Sequence, residues 1–376
     1  MKLNDIVRKI AKTLNILLLL YLFLVSIALL SASFKTFGSD FANRLIQTTS
    51  NPFVGLFIGI LTTSIIQSSS TTTSMIVGFV ASGMLTIENA IPMVMGANIG
   101  TTVTNTLVSL GHITRKEEFK RAMSCSSVHD LFNVFTVLVL FPLELTTGYL
   151  RRTAGILANI FGQCGGIKVM NPIKAVIKPA VHLVKHLLED VSGLSTAATG
   201  VLMLILALIL LFTTLFFIVK IMKSSTAKRA EIIFGKILGR SGLIAIFAGL
   251  IFTAIVQSSS ITTSILVPIV ASGITTVEAV LPITMGANLG TTVTAMLAAL
   301  TGNMAGITIA FAHLLFNATG VILVYNIAVL RRCIILASKK VAALCAERRI
   351  LAFVYVGIIF YVLPTLFIFM SKFFGK

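Results

Sequence analysis

The amino-acid sequence predicts an all-α, polytopic membrane protein made of two inverted repeats, each with a re-entrant helical hairpin that carries the motif Gln-Ser-Ser-Ser. Three observations support this fold class. The 376 residues are 56% hydrophobic and only 11% charged, which leaves too little polar surface to cover a soluble domain of this size. Several apolar runs reach the roughly 20 residues that a membrane-spanning helix needs. A long segment around the Gln-Ser-Ser-Ser motif also occurs twice.

Basic residues are concentrated in short stretches beside the apolar runs. The formal net charge of +18 is also typical of proteins that bind nucleic acid. Because Lys and Arg of membrane proteins collect in cytoplasmic loops, we instead predict a multi-pass protein of the cell inner (plasma) membrane, in contact with membrane lipid and without a nucleic-acid partner. The apolar runs are Leu14–Phe34, Asp130–Leu150, Gly200–Val219, Gly306–Leu330 and Ile350–Met370. The basic stretches are Lys2–Lys12, Arg115–Arg121, Lys220–Arg240 and Arg331–Arg349.

The internal repeat is the strongest signal in the chain. At an offset of 190 residues, Phe57–Leu107 aligns with Phe247–Leu297 without a gap, and 29 of the 51 aligned positions are identical. After a six-residue insertion in the first copy, His129–Asn133 matches His313–Asn317. Chance does not produce this similarity, so we infer a gene duplication.

The apolar arms on either side of each Gln-Ser-Ser-Ser tip are short. At 1.5 Å per residue, each arm spans about 20–22 Å, less than the ~30 Å of a bilayer's hydrocarbon core. We therefore expect re-entrant hairpins with the motif at the tip, which membrane proteins tolerate where the irregular backbone lines a protein cavity. The arms are Pro52–Ile66, Thr71–Leu85, Gly242–Val256 and Ile261–Ile274.

The expected topology follows from counting crossings from a cytoplasmic N-terminus. This count gives the repeats opposite orientations and leaves the linker between them outside, where its own basic residues would attract an anion. The predicted segments are a cytoplasmic N-terminus (1–13), a first transmembrane helix (14–34), repeat 1 (52–148, tip at 67–70), an extracytoplasmic linker (149–196), a transmembrane helix (200–219), a cytoplasmic basic segment (220–241), repeat 2 (242–330, tip at 257–260), a cytoplasmic basic loop (331–349) and a final transmembrane helix (350–371).

Each tip offers many polar groups and no charged side chain. Its amide and hydroxyls can donate and accept hydrogen bonds, and the helix that begins there presents free N–H groups and the positive end of its dipole. Such a helix start favours an anion, and two tips that meet would hold a tetrahedral oxyanion. The tip residues are Gln67, Ser68, Ser69 and Ser70 in repeat 1, and Gln257, Ser258, Ser259 and Ser260 in repeat 2.

A second repeated block, Gly-Ala-Asn-x-Gly-Thr-Thr-Val-Thr, interrupts an apolar helix at 96–104 and again at 286–294. Unwound carbonyls and Thr hydroxyls would make an oxygen-only site suited to Na⁺. The alternative is that small residues simply allow close helix packing. The supporting residues in this block are Asn98, Thr102 and Thr104, with Asn288 and Thr292 in the second copy.

Asp130 lies in an apolar helix, where a carboxylate is costly and by default functional. The second copy has Leu314 at this position, which predicts a cation site in one repeat only. The alternative is an ion pair with a nearby Lys or Arg. His129 and His313 are candidate proton carriers, although two equivalent His more often pack and form hydrogen bonds.

Motifs typical of enzymes do not occur in the sequence. We find no Gly-rich phosphate loop with Lys, no His-Glu-x-x-His and no supported Ser/His/Asp arrangement. The sequence therefore predicts a protein that is not an enzyme and needs no cofactor.

The motifs QSSSTTTS, GANIGTTVTNT, FKRAMSCSSVHDLFN and GANLGTTVTAML together closely resemble the type II sodium–phosphate cotransporters in their bacterial form, from about residue 14 to residue 370. The resemblance implies uptake of inorganic phosphate by alternating access, with Na⁺ as the coupling ion, in a monomer or homodimer. A symporter for another oxyanion and an anion channel are the alternatives that the residues alone leave open.

The family's site residues map onto matching positions of this chain. The resemblance implies that the eight tip residues bind phosphate, and that transport moves net positive charge inward with HPO₄²⁻, since the family's acid associated with electrogenic transport falls on Asp130. The implied Na⁺ ligands are Gln257, Ser258, Thr291 and Thr294 at one site, and Thr106, Asn133 and Asp130 at a further site.

Overall fold

The structure, a computed structural model, describes residues 3–37, 46, 50–191, 194–237 and 241–374. Lys2 and Arg240, at the ends of two basic stretches, and residues 192–193 of the linker lie outside this part. The described regular structure is helical throughout, and six of its helices are long and apolar enough to cross a membrane. The prediction of an all-α, polytopic membrane protein is therefore confirmed. The candidate spans are Ile10–Thr36, Lys116–Thr147, Thr196–Met222, Val277–Ala299, Met304–Asn326 and Ile350–Ser371.

The described helices follow one another with short connections. They are α1 (Leu3–Thr36), α2 (Pro52–Ile66), α3 (Ser69–Ser82), α4 (Ile87–Gly100), α5 (Val103–Leu110), α6 (Lys116–Thr147), α7 (Tyr149–Phe161), α8 (Ile167–His186), α9 (Thr196–Ile237), α10 (Gly242–Val256), α11 (Ser259–Ala271), α12 (Val277–Ala299), α13 (Met304–Asn326), α14 (Ala328–Glu347), α15 (Ile350–Gly357) and α16 (Leu363–Phe374). π-Helical turns lie at Gly162–Gly166, Leu187–Val191 and Ile358–Val362. By the sequence repeat, α2 to α6 correspond to α10 to α13, because α12 replaces both α4 and α5.

Segments expected to be loops are largely helical. The linker forms α7 and α8, and the basic stretch 331–349 lies mostly in α14. Gly148, with φ of 64°, ends α6, so the apolar run Asp130–Leu150 belongs to two helices. These differences arise because hydropathy marks where a chain enters lipid, whereas Lys, Arg, Ala and Leu continue a helix equally well in water.

Glycines set how closely the first arm of each hairpin approaches the following helix. A Cβ atom at Gly96 would overlap the backbone oxygen of Leu56 where α4 crosses α2, and one at Gly286 would overlap that of Ile246 where α12 crosses α10. The conflict is with backbone, which a rotamer change cannot relieve. Both repeats therefore use the same close helix crossing, as small residues allow.

The second arm of each hairpin packs against the other repeat. Helix α3 lies against α12 and α13, and α11 lies against α5 and α6. At the ends of these arms, the Asn303 side chain donates a hydrogen bond to the Ala81 carbonyl (3.1 Å), and Arg121 Nε donates one to the Ala271 carbonyl (2.8 Å). Ala271 is the copy of Ala81, so the two repeats hold each other in a reciprocal way.

The last helical segments of the chain pack against α2. Tyr361, in the final π-helical turn, donates a hydrogen bond to the carbonyl of Ser64 in α2 (3.2 Å). Phe367 of α16 stacks on Phe57 of α2, with ring centroids 4.4 Å apart. This packing places the last π-helical turn and α16 against the first arm of the first hairpin.

Candidate functional site

Both tips have the same local geometry. Gln67 and Gln257 adopt left-handed φ of 58° and 59°, and they are the only described non-glycine residues with positive φ. Such a conformation costs roughly 1–2 kcal/mol for a residue with a Cβ, and residues held this way cluster at functional sites. The hydroxyls of Ser68 and Ser258 then cap the next helix, a role for which Ser is well suited.

Free backbone donors follow each turn. The first intrahelical bond of α3 runs from Thr72 N–H to the Ser68 carbonyl (3.1 Å), so the N–H groups of Ser69 and Ser70 precede the hydrogen-bond ladder. Helix α11 begins in the same way at Ser259 and Ser260. The tips thus present N–H groups and the positive dipole end without a charged side chain.

The two tips meet in the structure. Ser70 Oγ donates to the Gln257 carbonyl (3.3 Å), and Thr294 Oγ1 lies 2.7 Å from Gln257 Oε1 and 3.4 Å from Ser70 Oγ. Ser70 and Thr294 are buried. Four uncharged oxygen atoms from three residues are therefore gathered at one point, which we call the oxygen cluster. It unites three of the predicted site residues from both repeats.

The equivalent serine of the second tip makes a different contact. Ser260, the copy of Ser70, bonds to Thr101 (3.3 Å between hydroxyl oxygens) rather than to Thr104, the copy of Thr294. The Thr104 hydroxyl has no partner within the described chain, and the side chain of Gln67 is exposed. The contact of Ser70 with Thr294 is therefore formed, whereas no equivalent contact of Ser260 with Thr104 is described.

Asp130 is 1% exposed and lies among hydroxyl groups. Its Oδ2 accepts hydrogen bonds from Thr106 (3.3 Å) and Tyr355 (2.8 Å), while its Oδ1 has no partner. No Lys or Arg of the described residues forms an ion pair with it, so the structure gives no support to the alternative of an ion pair. A buried carboxylate without a counter-charge is unfavourable, and a bound cation would relieve it.

A chain of side-chain hydrogen bonds connects the repeats beside Asp130. Asn105 donates to His129 Nδ1 (3.0 Å), His129 Nε2 lies 2.7 Å from the Asn288 oxygen, and Asn288 donates to Asn133 (2.6 Å). Asn133 continues the chain to the Asn98 carbonyl (2.9 Å). The pattern assigns a neutral imidazole to His129, protonated at Nε2, in agreement with a structural role rather than proton transfer.

The remaining predicted residues bond locally or stay unpaired. The Thr291 and Thr292 hydroxyls donate to carbonyls of their own helix, at 2.6 and 2.7 Å, and Thr102 donates to the Ile99 carbonyl at 2.8 Å. Both ring nitrogens of His313 lack a partner in the described part of the chain, as does the side-chain oxygen of Asn317. The hydroxyl oxygens keep lone pairs that a cation can use.

Two contributors to the site are not evident from the sequence motifs. Tyr355 lies in an apolar run far from any repeated block, and only the fold brings it to Asp130. Asn105 accepts hydrogen bonds from Thr263 (2.9 Å) and Ser264 (3.1 Å). The sequence signal for Asn105 is that it differs from Ala295, the residue at the matching position of the second repeat.

The donor set favours a hard monovalent or divalent cation and an oxyanion over a transition metal. All donors in the oxygen cluster and around Asp130 are hydroxyl, amide, carbonyl or carboxylate oxygens, which hard cations prefer. Among the described residues, no group of three or more His, Cys, Asp or Glu is placed to hold a metal ion.

Comparison with known proteins identifies the family of this chain. The sequence profile of the Na⁺/Pi-cotransporter family matches residues 22–170 and 209–366. "Sodium-dependent phosphate transport protein 2A" of Rattus norvegicus is 32% identical over 97% of this chain and 68% of its own length. "Sodium-dependent phosphate transport protein 2B" of Homo sapiens is 33% identical over 92% of this chain and 63% of its own length. No solved structure matches the chain. The chain belongs to the Na⁺/Pi-cotransporter family.

Proposed function

We propose that this chain transports inorganic phosphate across the cell inner membrane together with Na⁺. The observation that carries the proposal is the contact of Ser70, in one Gln-Ser-Ser-Ser tip, with Gln257, at the other (3.3 Å). It occurs in a chain whose relatives are named sodium-dependent phosphate transport proteins. The contact supports a single site shared by both repeats, as in secondary transporters.

Phosphate would bind between the two tips. The free N–H groups after Gln67 and Gln257 and the serine hydroxyls supply hydrogen-bond donors, and the two helix dipoles supply positive potential. No positively charged side chain is part of this arrangement. A site of this kind binds the anion without holding it as tightly as an arginine cluster would, which suits a transporter that must release its substrate.

Na⁺ would bind at the oxygen cluster. Ser70, Gln257 and Thr294 supply oxygens there, and Ser258 and Thr291 are near neighbours in sequence. Gln257 then belongs to both the Na⁺ and the phosphate sets, so an ion that fixes its side chain also fixes the tip that receives phosphate. This shared residue gives a physical route for coupling, because each ligand stabilises the arrangement that the other needs.

A further Na⁺ would bind at Asp130, with Thr106 and Asn133 nearby. The carboxylate of Asp130 allows this cation to enter the buried site without net positive charge there. Transport is electrogenic, with positive charge carried inward, when the Na⁺ ions that move outnumber the two that balance the charge of HPO₄²⁻.

We further infer alternating access by inverted repeats with re-entrant hairpins. Helices α2 and α10 have 15 residues each, and α3 and α11 have 14 and 13, which supports hairpins that end within the membrane rather than cross it. The reciprocal packing of α3 and α11 on the opposite repeat suits a site that opens to either side. The segment organisation predicted from the sequence fits this mechanism.

The test is phosphate uptake by purified protein in liposomes. Radiolabelled phosphate should accumulate with an inward Na⁺ gradient and not with K⁺ or Li⁺ gradients, and an inside-negative potential should speed it. Equal uptake in all three gradients would refute Na⁺ coupling, and indifference to the potential would refute electrogenicity.

Variants locate the site. Gln67→Ala and Gln257→Ala should each abolish transport while the protein stays folded, because each removes a tip side chain. Gln163→Ala, the same change at an exposed residue of the linker, is the matched control and should transport normally. Full activity in either tip variant would show that the tips do not bind substrate.

A further inference from the structure

A cavity of about 420 Å³ lies at the far end of the first hairpin, away from the tips. It is bounded by α1, by α8, by Ala81 near the end of α3, and by the turn before α13. Ala81 is twelve residues after Ser69, so the cavity lies about 18 Å along α3 from the tip, at 1.5 Å per residue. It is therefore a separate space from the oxygen cluster.

The ionisable side chains that line this cavity are all basic. Four lysines and one histidine line it, and no acidic residue of the described chain does. The only ion pair formed by any of these side chains within the described residues joins Lys185 to Glu189 at 3.5 Å, at the rim. The basic residues that line the cavity are Lys35, Lys174, Lys178, His182 and Lys185.

Helix α8 supplies most of this charge from one face. Lys174, Lys178, His182 and Lys185 recur at intervals of three or four residues, which places them on the same side of a helix. Like charges at this spacing destabilise a helix. Burial lowers the pKa of Lys174, and the positive charges of Lys178 and Lys35 lower it further. A bound anion would remove this repulsion.

A second large cavity combines basic with acidic residues. It has a volume of about 750 Å³ and is lined by four basic residues, Lys120, Arg121, Lys339 and Lys340, but also by Glu117 and Glu278. Lys339 forms an ion pair with Glu278 there. Two carboxylates therefore offset part of the positive charge of that cavity, whereas no acidic residue of the described chain lines the first.

We propose that the cavity between α1 and α8 is an oxyanion site that binds a phosphate group, supplied either by inorganic phosphate or by the headgroup of an anionic phospholipid. Lysine ammonium groups bind phosphate as flexible point charges, and Asn303 also lines the cavity. The volume holds a phosphate group with several waters, since one water occupies roughly 30 Å³. A role in loading the transport site rests on the proposed function; binding of the phosphate group does not.

The test measures protection of these lysines from acetic anhydride in the full-length protein, purified in detergent and freed of lipid. The buffer contains K⁺ and no Na⁺, and labelling of each lysine is followed by peptide mass spectrometry. At a phosphate concentration about twice the Kd, labelling of Lys174 and Lys178 should slow about threefold by mass action. Chloride at equal ionic strength controls for screening.

A second arm distinguishes the two sources of the phosphate group. The protein is placed in nanodiscs of phosphatidylglycerol or of phosphatidylcholine, and labelling is repeated without inorganic phosphate. Protection in detergent by inorganic phosphate assigns the site to free phosphate; protection only in phosphatidylglycerol assigns it to a lipid headgroup. Absence of protection in both arms overturns the proposal.

Variants test whether the protected lysines act together. In the double variant Lys174→Gln/Lys178→Gln, protection of the remaining Lys35 and Lys185 should be lost, while Lys340→Gln, in the second cavity, should leave it intact. Persistent protection in the double variant would refute a common site. If uptake in liposomes fails but protection persists, the proposed function is wrong and this site stands. If uptake succeeds but protection is absent, the proposed function stands and this site is wrong.

Discussion

Replacing Thr294 by Val tests the oxygen cluster most directly. Valine has nearly the shape of threonine, so the change removes one hydroxyl and leaves the packing of a fully buried position in place. That hydroxyl donates a 2.7 Å hydrogen bond to Gln257 Oε1 and lies 3.4 Å from Ser70 Oγ. The variant therefore loses one oxygen of the proposed Na⁺ site and the contact that fixes Gln257.

The size of the effect follows from these contacts. A hydrogen bond between uncharged groups contributes about 0.5–1.5 kcal/mol, and an unpaired buried acceptor costs about 1–3 kcal/mol. Gln257 is only partly buried, so water can satisfy part of its loss, and a net cost of about 1–2 kcal/mol is reasonable. If that cost falls on Na⁺ binding, the half-saturating Na⁺ concentration rises roughly five- to thirtyfold.

Two valine variants provide the comparison, with phosphate uptake in liposomes measured against Na⁺ concentration. Thr284→Val is a control on the same helix, because that buried hydroxyl donates only to the Val280 carbonyl of its own helix (3.1 Å). Thr104→Val reports on the copy of Thr294 in repeat 1. If Thr294→Val and Thr284→Val shift the half-saturating Na⁺ concentration equally, the oxygen cluster is not a Na⁺ site.

Three further predictions concern the helix crossing and Asp130. Gly286→Ala would set a methyl group against the backbone of α10 and should cost about 1–3 kcal/mol, seen as a lower Tm in detergent. Gly155→Ala, which has open space around it, should not lower Tm, because Ala is the better helix former. Asp130→Asn keeps the side-chain shape but removes its charge, so Na⁺-dependent uptake should persist without response to membrane potential; a full response would contradict its role in charge movement. Tyr355→Phe removes a donor to a carboxylate and should destabilise the protein by about 1.5–3 kcal/mol in K⁺ buffer, with part of the loss recovered in saturating Na⁺; an unchanged Tm in K⁺ would contradict this.

The local breaks of the fold could be predicted from the sequence. The arms Pro52–Ile66 and Gly242–Val256 coincide with α2 and α10, because polar, helix-capping serines interrupt apolar runs that are too short to cross a bilayer. Hydropathy does not predict the helices of the linker, since it says little about amphipathic segments with prolines. The break at Thr101–Thr102, between α4 and α5, has no counterpart in α12, although the two blocks are nearly identical in sequence.

The site was only partly predictable for a related reason. Ser70, Gln257 and Thr294 stand out because their motifs occur twice, and the structure brings them together. Periodicity shows which residues share one helix face, but it does not show which distant helix that face contacts. Tyr355 meets Asp130 across 225 positions of chain, and nothing in its apolar surroundings distinguishes it from a lipid-facing tyrosine.

The hydrogen bonds of the two repeats differ around the proposed Na⁺ site at Asp130. Several buried polar groups without a described partner are copies of groups that are paired. The copy of Ser264 is Ser74, and the copy of His129 is His313; both are unpaired. In repeat 1, Asn105 joins the paired residues to one another, whereas repeat 2 has Ala295 at the matching position.

The same divergence removes one hydrogen-bond donor to the carboxylate. Thr106, which donates to Asp130, corresponds to Met296, and Asp130 itself corresponds to Leu314. A buried Asp in repeat 2 would therefore lack the hydroxyl that Asp130 uses, and burying it would cost more. Thr106 and Asp130 are physically linked, since the hydroxyl donates a hydrogen bond to the carboxylate. The unpartnered Oδ1 of Asp130 in the described chain agrees with the proposed cation site, which would then belong to repeat 1 alone, while the glycine crossings, which are the same in both repeats, keep the scaffold symmetric.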